Sequence, residues 1–110
     1  MTERERRIGL NEAVYREVNE KLRTVNEVFA TITDHFEIMC ECGHQTCHER
    51  LSITPRAYEE LRSDPGLFAI VPGHEIPDVE DVVAETEAYA VVRKHPGDPV
   101  KVAAQTDPRS

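Results

Sequence analysis

Three cysteines fall within eight residues, Cys40-Glu41-Cys42-Gly43-His44-Gln45-Thr46-Cys47, and the chain has no others. Nothing else in the sequence restricts the fold as much. An odd number of thiols cannot all pair, and a Cys-x-Cys step is poorly placed for a mutual disulfide. Burying all three as small hydrophobes conflicts with their neighbours, a glycine and the polar runs Gly43–Thr46 and His48–Arg50. The remaining reading is a metal site, since soft thiolates at short spacing suit zinc and Gly43 lets the backbone turn around an ion. Structural zinc is held by four nitrogen or sulfur ligands in a closed tetrahedron, so one ligand is still to be found. The candidates are His44, His48 and His74. His48 adjoins Cys47 and leaves little slack, His44 lies inside the loop, and His74 follows a Pro-Gly turn after a predicted strand. A ligand distant in sequence gains stability by closing a long loop.

The segments on either side predict the frame of this loop. Residues 1–34 read as a long amphipathic helix. Thr2 and Glu5 have capping-box spacing, while Ile8, Tyr15, Leu22 and Phe29 fall seven apart, interleaved with Asn11, Val18, Val25 and Ile32. Glu3–Arg7, Glu12–Arg16 and Glu17–Lys21 read as i,i+4 pairs on the solvated faces. Such a stripe either packs on the protein's own sheet or forms a coiled-coil seam with a second copy or a protein partner. Alternation in Phe36–Cys42 predicts a strand entering the cysteine loop, and Arg50–Thr54 a strand leaving it. Thr54-Pro55 marks a helix start, ended by Ser63–Gly66. Leu67–Val71 reads as a buried strand, and Val79–Ala84 with Tyr89–Lys94 as a hairpin, although 78–86 also suits a short helix. From His95 to Ser110 the periodicity is lost, and the reading is a mostly disordered tail.

Charge excludes some roles. The net charge of −8 lies entirely beyond residue 30, because residues 1–30 hold six Lys/Arg against six Glu. A body of that sign repels phosphate backbones, so nucleic acid is a poor partner. The first residues lack the apolar core of a signal peptide, and no apolar run approaches a membrane span. A cytoplasmic protein with reduced thiols is the expectation. Catalytic signatures are also missing: the zinc deaminase His-x-Glu with Pro-Cys-x-x-Cys is absent, and His74-Glu75 lacks the second histidine of a metalloprotease helix. A Cys3His set around zinc leaves no open position for water.

The spread Cys40–Gly43, Cys47, Glu49–Arg50, Tyr58, Arg62, Asp64–Pro65, Phe68, Val71–Glu75, Pro77, Glu80, Val82–Val83, Tyr89, Val91–Val92 and Lys94 resembles a group of small bacterial proteins with a zinc-binding-like Cys-x-Cys-Gly…Cys…Pro-Gly-His-Glu pattern. The likeness covers residues 36–94 and departs at Ser52–Thr54. It implies His74 as the fourth ligand, because Pro-Gly-His-Glu belongs to the pattern while His44 and His48 do not. It implies no activity.

These readings combine into an α+β fold: a long N-terminal helix (1–34), a domain at 35–94 with a small, mostly antiparallel sheet and one short helix, and a tail (95–110). Zinc on Cys40, Cys42, Cys47 and His74 would staple the loop. The expected function is a non-enzymatic zinc-binding interaction or regulatory module. A thiol-based redox or metal sensor is the alternative, and a small metal- or cysteine-dependent enzyme the third reading.

Overall fold

The structure is a computed structural model that describes residues 2–29, 35–44 and 46–109. Helix α1 (Glu3–Phe29) is followed by strands β1 (Phe36–Met39) and β2 (Arg50–Ile53), helix α2 (Pro55–Arg62), strands β3 (Leu67–Ile70), β4 (Glu80–Glu85) and β5 (Ala90–Lys94), and helix α3 (Asp98–Gln105). The architecture is α+β as expected, with the strands divided between two antiparallel sheets. β1 pairs with β2, Phe36 opposite Ile53 and Met39 opposite Arg50. A second sheet has the order β3-β5-β4.

Local chemistry sets the boundaries. The Thr2 hydroxyl accepts from the Glu5 N–H at 3.1 Å and caps α1. The Thr54 hydroxyl accepts from the Ala57 N–H at 3.0 Å, and Pro55 fills the first position of α2, where a missing N–H costs nothing. Alternation in β1 and β2 places Phe36, Ile38, Leu51 and Ile53 in one core with Tyr58 and Leu61 of α2. Phe68, Ile70, Ala90 and Val92 build a second core, which reaches Cys40 and Cys42. Within 78–86, Glu80–Glu85 is a strand paired antiparallel with β5, so the hairpin reading holds.

Two expectations need correction. The tail from His95 to Ser110 carries α3, and Ala103 of this helix is buried in the second core. Only eight residues long, α3 offers two apolar positions per turn at most, too weak a pattern to read; it is held by tertiary contacts instead. Arg16 provides these, donating to the Ala103 carbonyl at 2.7 Å, the Thr106 hydroxyl at 3.0 Å and the Pro65 carbonyl at 2.8 Å. A cation at the C-terminal end of a helix also complements its dipole.

The second correction concerns α1, whose heptad stripe splits. Ile8 is buried and Tyr15 half-buried against the body, Val18 and Leu22 line an open cavity beside β1 and Arg50, and Val25 faces solvent. Ile32 and the side chain of Phe29 lie outside the described residues. The face of α1 that enters the protein is polar: Glu12, Arg16 and Asn19 are fully buried. Glu12 and Arg16, expected as a solvated pair, each have an internal partner. Lys94 Nζ lies 2.5 Å from Glu12 and 2.7 Å from Glu80. Burial pushes the Glu12 carboxyl well above its ordinary value, against the pull of Lys94.

The most complete buried network centres on Glu41. Arg62 donates to both of its carboxylate oxygens, at 2.7 and 3.0 Å, and Asn19 Nδ2 and the Ala69 N–H add 2.7 and 3.1 Å bonds. The same Asn19 side chain accepts from the Met39 N–H and donates to its carbonyl. α1, β1, α2 and β3 therefore meet at one carboxylate. Arg62→Ala leaves that carboxylate buried without its cation and should cost about 3–5 kcal/mol. Arg93→Ala, which removes the exposed pair with Asp64, should cost at most about 1 kcal/mol. Urea unfolding of both variants measures the difference.

Candidate metal centre

The cysteine loop is the connection between β1 and β2. Its ends are drawn together by the Cys40 N–H donating to the Glu49 carbonyl at 2.9 Å. The side-chain period of an extended backbone sends Cys40 and Cys42 to one side and Glu41 to the other, where it enters the network with Arg62. A buried ion pair thus holds the residue between two candidate ligands. Gly43 then turns the chain with φ at +79°, and a Cβ there would lie 2.9 Å from Ile8 Cγ2 and 3.0 Å from Glu12 Cγ. Glycine is required for its conformation and equally for the close approach of α1.

His74 arrives from the other sheet. Strand β3 ends at Ile70, and Val71-Pro72-Gly73-His74 forms a turn closed by the His74 N–H on the Val71 carbonyl at 3.0 Å. Proline presets the second turn position, and Gly73, with φ at +93°, takes the third. This turn aims the His74 ring at the loop.

Cys40, Cys42, Cys47 and His74 converge, with their ligand atoms all within 4.8 Å of one another. His74 Nδ1 is 3.7 Å from both Cys40 Sγ and Cys47 Sγ. Four such atoms at these separations are close enough to hold one metal ion. Of the three histidines weighed from sequence, only His74 joins the sulfurs in this group. His44 packs edge-on to His74, with ring centroids 6.1 Å apart, and His48 is turned toward the Tyr15 hydroxyl.

The surroundings suit a charged cluster. The Val71 N–H donates to Cys40 Sγ at 3.2 Å. His74 Nε2 lies 3.0 Å from a Glu49 carboxylate oxygen, which fixes the ring and leaves Nδ1 free to ligate. Glu49 is brought there by the backbone pairing that closes the loop, the Cys40 N–H on its carbonyl. Hydrogen bonding from Cys40 holds the Cys42 thiol down to about 4, despite its burial. The same bond and burial push Cys40 upward, and burial pushes Cys47 upward. Without a cation the cluster stabilises one thiolate and resists two more, since adjacent negative charges repel in a buried site.

Cys40 and Cys42 are buried, whereas Cys47 is half-exposed. Beside it opens a cavity of about 360 Å³ lined by His44, Thr46, His48, Glu49, Gly73 and His74. No helix among the described residues is long and apolar enough to cross a membrane. No family model matches the chain, and no curated protein or solved structure matches it either.

His74→Ala should weaken metal binding by several orders of magnitude, and His44→Ala or His48→Ala by less than about tenfold. Glu49→Gln should cost about 10- to 100-fold. Competition against a chromophoric chelator reads all four. Binding near neutral pH should release about two protons per ion, from Cys40 and Cys47, because Cys42 is already ionised. Affinity should therefore fall as pH is lowered, and titration in weakly buffered indicator solution counts the protons.

Proposed function

We propose that the chain is a non-enzymatic zinc-binding interaction or regulatory module with a structural Cys3His site. The observation that carries this reading is the convergence of three sulfurs and His74 Nδ1 on one point, with Glu49 behind the ring. Three thiolates and an imidazole satisfy the four-ligand preference of zinc. Bound there, zinc would join the β1–β2 loop to the turn after β3 and so tie one sheet to the other. Its chemistry is that of a staple: the donor set fills a tetrahedron, and three thiolates supply enough negative charge to suppress acidification of water. The chain's own residues do the remaining work. Glu41 and Arg62 fix the direction of Cys40 and Cys42, Gly43 admits α1, and Glu49 sets the tautomer of His74.

A small domain with few large aromatics gains much of its stability from such a cross-link. The interaction role rests on the exposed apolar residues of α1, and a partner protein or second copy is the class of occupant they suit. The expected cytoplasmic setting agrees with thiols that stay reduced.

The half-exposed position of Cys47 supports one alternative, a thiol-based redox sensor that loses zinc on oxidation. Expression in zinc-supplemented medium without a metal-binding tag should give one zinc per chain by elemental analysis. Chelation should lower the thermal midpoint by more than about 10 °C. Zinc retained under mild hydrogen peroxide supports the module, whereas release with a Cys47 disulfide supports the sensor. A chain that folds fully and binds no metal overturns both.

A further inference from the structure

The outer face of α1 carries most of the large apolar side chains exposed among the described residues. Leu10, Val14, Val18, Leu22 and Val25 account for five of the eight large hydrophobic side chains exposed among the described residues. They recur at spacings of four, four, four and three, which makes one stripe about 22 Å long at 1.5 Å per residue. At about 100° per residue, the centre of the stripe lies roughly 140° from the direction in which Ile8, Glu12, Arg16 and Asn19 point. Among the described residues of the stripe, only Val18 and Leu22 border the internal contact, lining a cavity of about 300 Å³ with Glu37, Ile38, Met39 and Arg50; Leu10, Val14 and Val25 lie clear of it. Amphipathic helices put the apolar face inward, and α1 puts buried charges inward and its valines outward. Val14 is 59% exposed and Val25 55%.

We propose that this face is the seam of an antiparallel homodimer, with two copies of α1 packed about a two-fold axis at Val18. The proposal rests on the reading of the chain as an interaction module and names its partner as a second copy. The stripe is self-complementary about Val18: antiparallel packing sets Val14 against the partner's Leu22 and Val18 against the partner's Val18. Charge agrees with this direction. Glu17 and Lys21 are both exposed and lie on the same flank of the stripe. Antiparallel packing brings each Glu17 beside the partner's Lys21 on that flank, twice by symmetry, while parallel packing puts the two copies of this flank on opposite sides of the seam, where neither charge meets its complement. The body of each protomer packs on the inner face of α1 and reaches the stripe only along the flank of Val18 and Leu22, where β1 and Arg50 lie. The excess negative charge, all of it beyond residue 30, is thereby held largely away from the seam. Two helices joined over this length bury roughly 1,200 Å², the lower end for a specific interface, so a micromolar dimer is expected.

The test uses the full zinc-loaded chain in sedimentation equilibrium, with zinc and circular dichroism measured on every sample. Wild type should be a dimer at about 0.1 mM, and Val18→Glu a folded, zinc-loaded monomer with at least about tenfold weaker association. Glu17→Lys and Lys21→Glu should each weaken the homodimer, because each gathers like charges at the seam. Mixed together, those two variants should pair preferentially as a heterodimer. A wild-type monomer at that concentration overturns the proposal and points to a different protein as occupant, with the zinc reading intact. A dimer that survives Val18→Glu overturns it too, as does a Val18→Glu chain that unfolds and loses zinc. A dimer without metal leaves the seam standing and removes the zinc reading, so the two failures are distinct.

Discussion

Glu41 occupies the position between Cys40 and Cys42, fully removed from solvent, and its carboxylate accepts hydrogen bonds from Arg62, Asn19 and the Ala69 backbone. Removing a carboxylate and a guanidinium from water is costly, and the cost is recovered only when nearly every lone pair and N–H finds a partner. Here the partners come from α1, α2 and β3 together. Each of these elements must therefore be in place for the carboxylate to be tolerated, which makes the network a strong constraint on their mutual positions. The two sulfurs on the opposite side of the same backbone inherit that precision. An apolar residue at 41 would pack in many ways, whereas a doubly bonded carboxylate accepts very few.

The same logic holds along α1. Its inner face carries Glu12 toward Lys94 and Glu80, Arg16 toward α3, and Asn19 toward β1 and Glu41. Hydrophobic burial contributes little to this docking; Ile8 with Ile76 and Val79 is its main apolar contact. A helix held by several hydrogen-bonded charges is specific in register, since a slip of one residue would leave buried ions unpaired. The apolar side chains of the helix are then not needed inside.

Local signals were readable where the chemistry is local. Thr54-Pro55, the Val71–His74 turn, the alternation of β1 and the crowding of three thiols all reduce to neighbours a few residues apart, and the structure agrees at each. His74 could be shortlisted because a Pro-Gly turn after a strand aims the next side chain. The buried charges were illegible for a physical reason. Glu12 and Arg16 four apart have the same pattern as a solvated pair, and only tertiary partners 49 to 90 residues away, for Arg16, show otherwise. Helical periodicity scores valines as inward, so a helix with charges inside and valines outside reads with its faces exchanged. Glu49 was hidden similarly, since its role depends on strand register, and α3 is too short for its own pattern to outweigh the prolines and glycine around it.

Three residues of α1 spaced four apart lie along the cysteine loop: Asn11 donates to the Gly43 carbonyl at 3.2 Å, the Tyr15 hydroxyl lies 3.5 Å from His48 Nδ1, and Asn19 binds the end of β1. The loop and the helix thus share a free energy of docking, and thermodynamic reciprocity gives that sharing a definite consequence. Whatever factor a bound metal would contribute to holding α1 against the body, a docked α1 would contribute to the affinity for that metal. A partner that engages α1 while keeping it docked would slow metal loss, and one that pulls it away would hasten it. The long helix, far from being an appendage to the site, is in effect its thermodynamic lever.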